Sequence, residues 1–129
     1  MRHGPGHAWP MNSRIVFATL ALCALTACES AGELSQKPPT WTALYQAPWE
    51  PMANCIVQRS QRPLVTVTPT FSSSRAHVVV SNAAGAVLGT FDVRQVGRAT
   101  EVAYRSIYGG PDSTAGGDAR DLADRCARP

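Results

Sequence analysis

Few side chains in this chain could do chemistry, and their spacing excludes more than it suggests. His3 and His7 lie in the first ten residues, and beyond them there is a single histidine, His77, flanked by Ala76 and Val78. One histidine inside a run of strand-forming residues reads as a packing or surface residue rather than a general base. No Gly-x-Ser-x-Gly elbow is present to pair with it. Asp118, Asp121 and Asp124 recur every third residue, which reads as a solvated helix face. Asp112 and Asp118 flank a glycine-rich loop but lack the ligand count of a calcium site. Gly109-Gly110 and Gly116-Gly117 are followed by no Lys-Ser/Thr, so they do not make a phosphate loop. Neither Cys55 nor Cys126 has a Cys-x-x-Cys partner. No metal, cofactor or catalytic set is expected.

Cys28 differs because of what precedes it. Arg2 and Arg14 are the only charges among the first 27 residues, and Ile15 to Ala27 is a 13-residue uncharged, mostly apolar run. At roughly 1.5 Å per residue this makes about 20 Å of helix, short of the roughly 20 residues a spanning helix needs. A basic start, a short apolar stretch and small residues at its end describe a secretory signal, with Met11 as a second possible start. Leu25-Thr26-Ala27-Cys28 then resembles the bacterial lipobox. That resemblance covers the signal alone. It implies cleavage before Cys28, a diacylglycerol thioether on its sulfur, and attachment to a membrane. Glu29 departs from the aspartate that retains enteric lipoproteins in the inner membrane, which implies the outer membrane, facing the periplasm.

Once the signal is gone, 10 basic residues face 9 acidic ones, so the basic balance belongs mostly to the signal. No clustered basic stripe suggests nucleic acid. Cys23 leaves with the signal and Cys28 carries lipid. Cys55 and Cys126 are left in an oxidising compartment with one possible pairing, a disulfide closing a loop of about 72 residues. For a domain of some 90 residues with a modest core, that bond is a large part of the stability.

The elements that would position these residues follow from periodicity. Residues 29–40, with Pro38-Pro39 and only one large apolar residue, Leu34, read as a tether. Trp41, Leu44 and Tyr45 share a helical face, suggesting one or two turns capped by Thr40. A helix from Pro51 to about Gln61 places Met52, Cys55 and Ile56 on its apolar side. The period then changes to two. Strands are expected over 64–70, 75–81, 86–94 and 100–108, with turns at Asn82–Gly85 and at Gly97. A last helix follows Gly117, with Ala119, Leu122, Ala123 and Cys126 aligned. The fold expected is α+β: a four-stranded antiparallel meander with an N-terminal and a C-terminal helix on one face.

The function expected is non-catalytic binding of an envelope protein. Arg75, Arg94, Glu101 and Arg105 on the sheet face opposite the helices would form the contact surface. Trp41 and Tyr45, near the tether, would be further candidates. The second reading is a small-ligand or cell-wall binding module, marked by a pocket between sheet and helices lined by Phe91 and Tyr104.

Overall fold

A computed structural model of the chain describes Gly4, Gly6, residues 30–110 and residues 112–128. Apart from Gly4 and Gly6, the segment expected to be a signal lies outside the described residues, as does Cys28. Among the described residues three helices, α1 (Ala31–Ser35), α2 (Trp49–Ser60) and α3 (Thr114–Cys126), accompany five strands. These are β1 (Trp41–Tyr45), β2 (Val65–Ser72), β3 (Arg75–Asn82), β4 (Val87–Val96) and β5 (Ala99–Ser106). The protein is α+β, as expected, but its single antiparallel sheet has five strands, in the order β1-β5-β4-β3-β2. The meander accounts for β2 to β5. The fifth strand, β1, comes from the segment expected as a helical turn.

Alternation explains the difference. Trp41 and Ala43 point into the core while Thr42 and Leu44 point out. Pairing with β5 satisfies the backbone, with Trp41 opposite Tyr104 and Ala43 opposite Val102. Leu44, whose apolar character mimics a helical stripe, is 57% exposed on the far side. Chain direction then forces a crossover. β1 and β2 occupy opposite edges, and α2 spans the sheet between them.

Pro48 occupies the N-cap of α2 and Pro51 its first turn, where a missing N–H costs nothing. Met52, Ala53 and Ile56 are buried against Ala76, Val78, Phe91, Val93, Val102 and Tyr104 of the sheet and Ala119 and Ala123 of α3. Each fully buried large side chain among them contributes on the order of 1.5–3 kcal/mol. Cys55 and Cys126 are bonded, with Cα atoms 5.6 Å apart, which joins α2 to α3 on this face. α3 starts earlier than Gly117. Ser113 caps it, its Oγ accepting from Gly116 N at 3.1 Å, so both glycines of that pair lie inside the helix. Trp41 Nε1 donates to Gly116 O at 2.9 Å, a close approach that a small residue permits.

Residues 30–40, where composition suggests a tether, also hold structure. Ser30 Oγ accepts from Glu33 N and Ser30 N donates to Glu33 Oε2, both at 3.1 Å, a reciprocal cap for α1. Leu34 is 1% exposed, and α1 packs on β4 and β5 across the sheet from α2 and α3. The sheet is therefore covered on one face by two helices and on part of the other by one turn-and-a-half of helix.

Candidate functional site

The sheet presents two places where side chains converge. The first lies on the helix side, at the end away from the disulfide. β4 carries a bulge there. Val80 pairs with Gly89 and Ser81 with Val87, which leaves Leu88 unpaired. Gly89 is fixed by what crosses it. A Cβ at this position would sit 2.7 Å from Tyr104 Oη and 2.9 Å from the Arg105 carbonyl. The Tyr104 ring stacks on Trp41 at 5.7 Å and meets Phe91 at a tilt at 4.8 Å. The Ala115 and Ala119 side chains of α3 are too small to fill the space above, and a cavity of about 230 Å³ remains.

Its walls are Val65, Val80, Leu88, Phe91, Ala115, Ala119 and Leu122, and Ser60, Arg62, Tyr104, Tyr108 and Asp118 add polar groups. Ser60 is buried at the C-terminal end of α2, and its Oγ has no hydrogen-bond partner among the described residues. Burial pushes the Tyr104 phenol up, so it stays protonated and can donate but not act as a base near neutral pH. Arg62, Asp118 and Leu122 also line an adjoining polar groove with Arg59, Asp121 and Arg125. Two further features mark this end. Tyr108 is 55% exposed. Leu64, between the cavity residues Arg62 and Val65, has φ +63° and is 81% exposed. A left-handed leucine costs roughly 1–2 kcal/mol, and such strain clusters at functional sites.

The second place is the outer sheet face, where the expected contact residues stand. Register puts Arg75, Arg94, Glu101 and Leu44 in one row across β3, β4, β5 and β1. His77, Asp92, Ala103 and Thr42 form the next row. Arg94 Nε donates to Glu101 Oε1 at 2.7 Å. Asp92 is shared: its Oδ1 lies 2.8 Å from His77 Nδ1 and its Oδ2 accepts from Arg105 Nη1 at 2.9 Å. Arg105 Nε also donates to the Lys37 carbonyl at 2.8 Å, which holds the segment after α1 onto the sheet. The hydrogen bond to Asp92 raises the His77 imidazole against the opposing effect of burial, and the same bond lowers the Asp92 carboxyl. These residues and α1 enclose an open cleft of about 620 Å³.

The structure thus brings Arg75, Arg94, Glu101 and Arg105 together on one face, although Arg105 is largely occupied by internal partners. It separates Trp41 and Tyr45 from them. Trp41 is buried under α3, and Tyr45 reaches α3 from β1, donating from its hydroxyl to Asp124 Oδ1 at 2.7 Å. Burial and then that bond raise the Tyr45 phenol. Arg120 lies over both rings, 5.3 Å from the Trp41 centroid and 6.0 Å from that of Tyr45. Both aromatics therefore work as packing residues, not as an exposed patch. Sequence reasoning passed over Ser60, Leu64, Leu88 and Tyr108 as site residues, and it read Asp118 as part of a solvated helix face. Only the pairing of Pro63 with the strand start at Val65 hints at a forced turn there.

Among the described residues, no group of three or more His, Cys, Asp or Glu side chains could hold a metal ion, and no helix is long and apolar enough to cross a membrane. No protein-family model, curated protein or solved structure matches the chain.

Proposed function

We propose that the protein is a lipid-anchored envelope lipoprotein that binds a protein partner by taking an apolar side chain of that partner into the cavity beside Tyr104. Export, cleavage before Cys28 and acylation of its sulfur place the domain at a membrane, with Glu29 favouring the periplasmic face of the outer membrane. One observation supports the binding mode most directly. An apolar cavity of about 230 Å³ opens beside a groove lined by charges of both signs. This is the anatomy of a protein interface, in which an aromatic or aliphatic anchor fills a pocket and a polar rim surrounds it. It moves the contact surface from the outer sheet face, where it was expected, to the helix side.

The size of the apolar part alone favours this over the second reading, a small-ligand or cell-wall binding module using the same cavity, since the adjoining groove is polar. Sites for whole small molecules usually enclose roughly 300–1,000 Å³. The space here is smaller and suits one side chain or one ring. Edge pairing is a weaker route for a partner, because β2 carries Pro69 in mid-strand and β1 is only five residues long.

The test is crosslinking and affinity capture of the full lipidated chain from its own cells, compared with Ala115→Phe. Ala115 is half-buried at the start of α3, and a phenyl group there fills the cavity. An envelope protein captured by the natural chain and lost with Ala115→Phe, at unchanged circular dichroism, is the expected result. Equal capture by both chains would remove the cavity from the binding mode. A small molecule co-purifying with the natural chain and displaced by Ala115→Phe would establish the second reading instead.

A further inference from the structure

We infer that the outer sheet face, around Arg75 and Arg94, lies against an anionic phospholipid surface. This rests on the reading of Cys28 as the lipidated residue. Three observations carry it. The first is chain length. Cys28 is two residues before Ser30, the cap of α1, and two residues reach at most about 7 Å. Because α1 is docked on the sheet, with Leu34 buried and Arg105 bound to the Lys37 carbonyl, the anchor has no long tether to run out. Ala31 and Gly32, at the start of α1, line the same cleft as Arg75 and Arg94. A lipid on Cys28 therefore brings the end of this cleft that Ala31 and Gly32 line close to the headgroups.

The second is charge. Arg75 and Arg94 are direct register partners on adjacent strands. Like charges facing each other across a sheet are unfavourable. One carboxylate, Glu101, is bonded to Arg94, while the Arg75 side chain makes no hydrogen bond or ion pair among the described residues. Asp92 in the next row feels the Arg75 charge but is bonded to His77 and Arg105, so Arg75 has no bonded carboxylate among the described residues, and a lipid phosphate would take that place. The third is apolar exposure on the same side. Leu44 ends the row of Arg75 and Arg94, and Val96 follows Arg94 at the alternating position of β4. Both are large apolar side chains left exposed. Basic and apolar side chains together suit the boundary between headgroups and acyl chains.

The experiment uses the full lipidated chain in mixed phosphatidylethanolamine–phosphatidylglycerol vesicles. A photo-crosslinking amino acid replaces either Thr42, exposed on the outer face, or Gln58, exposed on α2. Intact mass first establishes whether Cys28 is acylated. Lipid adducts are expected at Thr42 and near background at Gln58. Arg75→Glu together with Arg94→Glu should lower the Thr42 yield at least about tenfold, since each basic residue near such a surface contributes roughly 1 kcal/mol. An unacylated Cys28 overturns both the lipoprotein reading and this inference. Acylation with equal adducts at Thr42 and Gln58 overturns the inference alone. A Thr42 yield indifferent to the charge reversal removes the arginine–phosphate contact and overturns the inference as well.

Discussion

Removing the Cys55–Cys126 bond should cost the domain a large share of its stability without abolishing the packing of α2 on α3. The bond spans a sequence separation of 71. For a closed loop of that size, lost chain entropy in the unfolded state corresponds to about 4 kcal/mol at 25 °C. Small domains are stable by only about 5–15 kcal/mol, so this is a quarter or more of the total. The folded state loses less. Met52, Ala53 and Ile56 on α2 and Ala119 and Ala123 on α3 share one buried cluster, and they should stay buried when the sulfurs are not joined. Replacing both partners, Cys55→Ala with Cys126→Ala, leaves neither of them as a free thiol to confuse the result. In a domain of this size each kcal/mol moves the melting temperature by about 4–8 °C, so the double variant should melt roughly 16–30 °C lower. Far-ultraviolet circular dichroism before the transition should match the natural chain. Thermal melts of the soluble Cys28→Ser background, oxidised and with reductant, measure the same quantity independently. A drop of less than about 5 °C would refute the reasoning, since it would mean that the unfolded chain gains little freedom when the loop opens.

Three further outcomes follow from single residues. His77, raised by its bond to Asp92, should titrate above its ordinary value by NMR and return toward it in Asp92→Asn. The sign for stability is fixed: the His77 contribution is complete below the unfolded imidazole value and fades as pH rises through the folded one. The Asp92 contribution, from a lowered carboxyl, is complete above the unfolded value and fades as pH falls through the folded one. Both groups are about a third exposed, so denaturant melts across that range should move by less than about 1 kcal/mol. Gly89→Ala drives a methyl group against Tyr104 Oη and the Arg105 carbonyl, and chemical denaturation should show a loss of about 1–3 kcal/mol. Leu64→Gly removes a left-handed leucine that buries little, so it should stabilise the fold by up to about 1 kcal/mol or leave it unchanged, whereas Leu64→Val should destabilise it.

What was legible in the sequence came from signals with one dominant cause. The four strands of the meander announce themselves through period two. Two of the three turns between them are set by Gly85 at φ +85° and Gly97 at φ +61°, backbone states that glycine adopts without strain. The cysteine pair needed only the compartment and simple elimination. Phe91 and Tyr104 line a cavity as the second functional reading requires, because both fall on the inward phase of their strands. The rim residues were not legible, since Ser60, Tyr108 and Asp118 meet only after α2, β5 and α3 are packed.

The two elements that were missed sit side by side at the start of the domain, and they share a cause. Trp41-Thr-Ala-Leu-Tyr45 fits both a helical stripe and a strand alternation, and five residues are too few for periodicity to decide. β5 decides, by offering an unpaired edge whose inward residues, Val102 and Tyr104, match Ala43 and Trp41. Composition likewise argues for a free tether over 29–40, and Ser30-x-x-Glu33 is the short capping signal against it. A helix of five residues cannot persist alone, so that signal matters only because Leu34 finds a site on β4 and β5. The consequence reaches beyond the fold. A free tether would let the domain turn in any direction above a bilayer. With α1 docked, the proposed lipid on Cys28 would draw the outer face of the sheet toward the membrane and leave the cavity, on the helix side, directed away from it. The two proposed surfaces are then compatible by construction: one face of the sheet for lipid, the other for a partner arriving from the aqueous side.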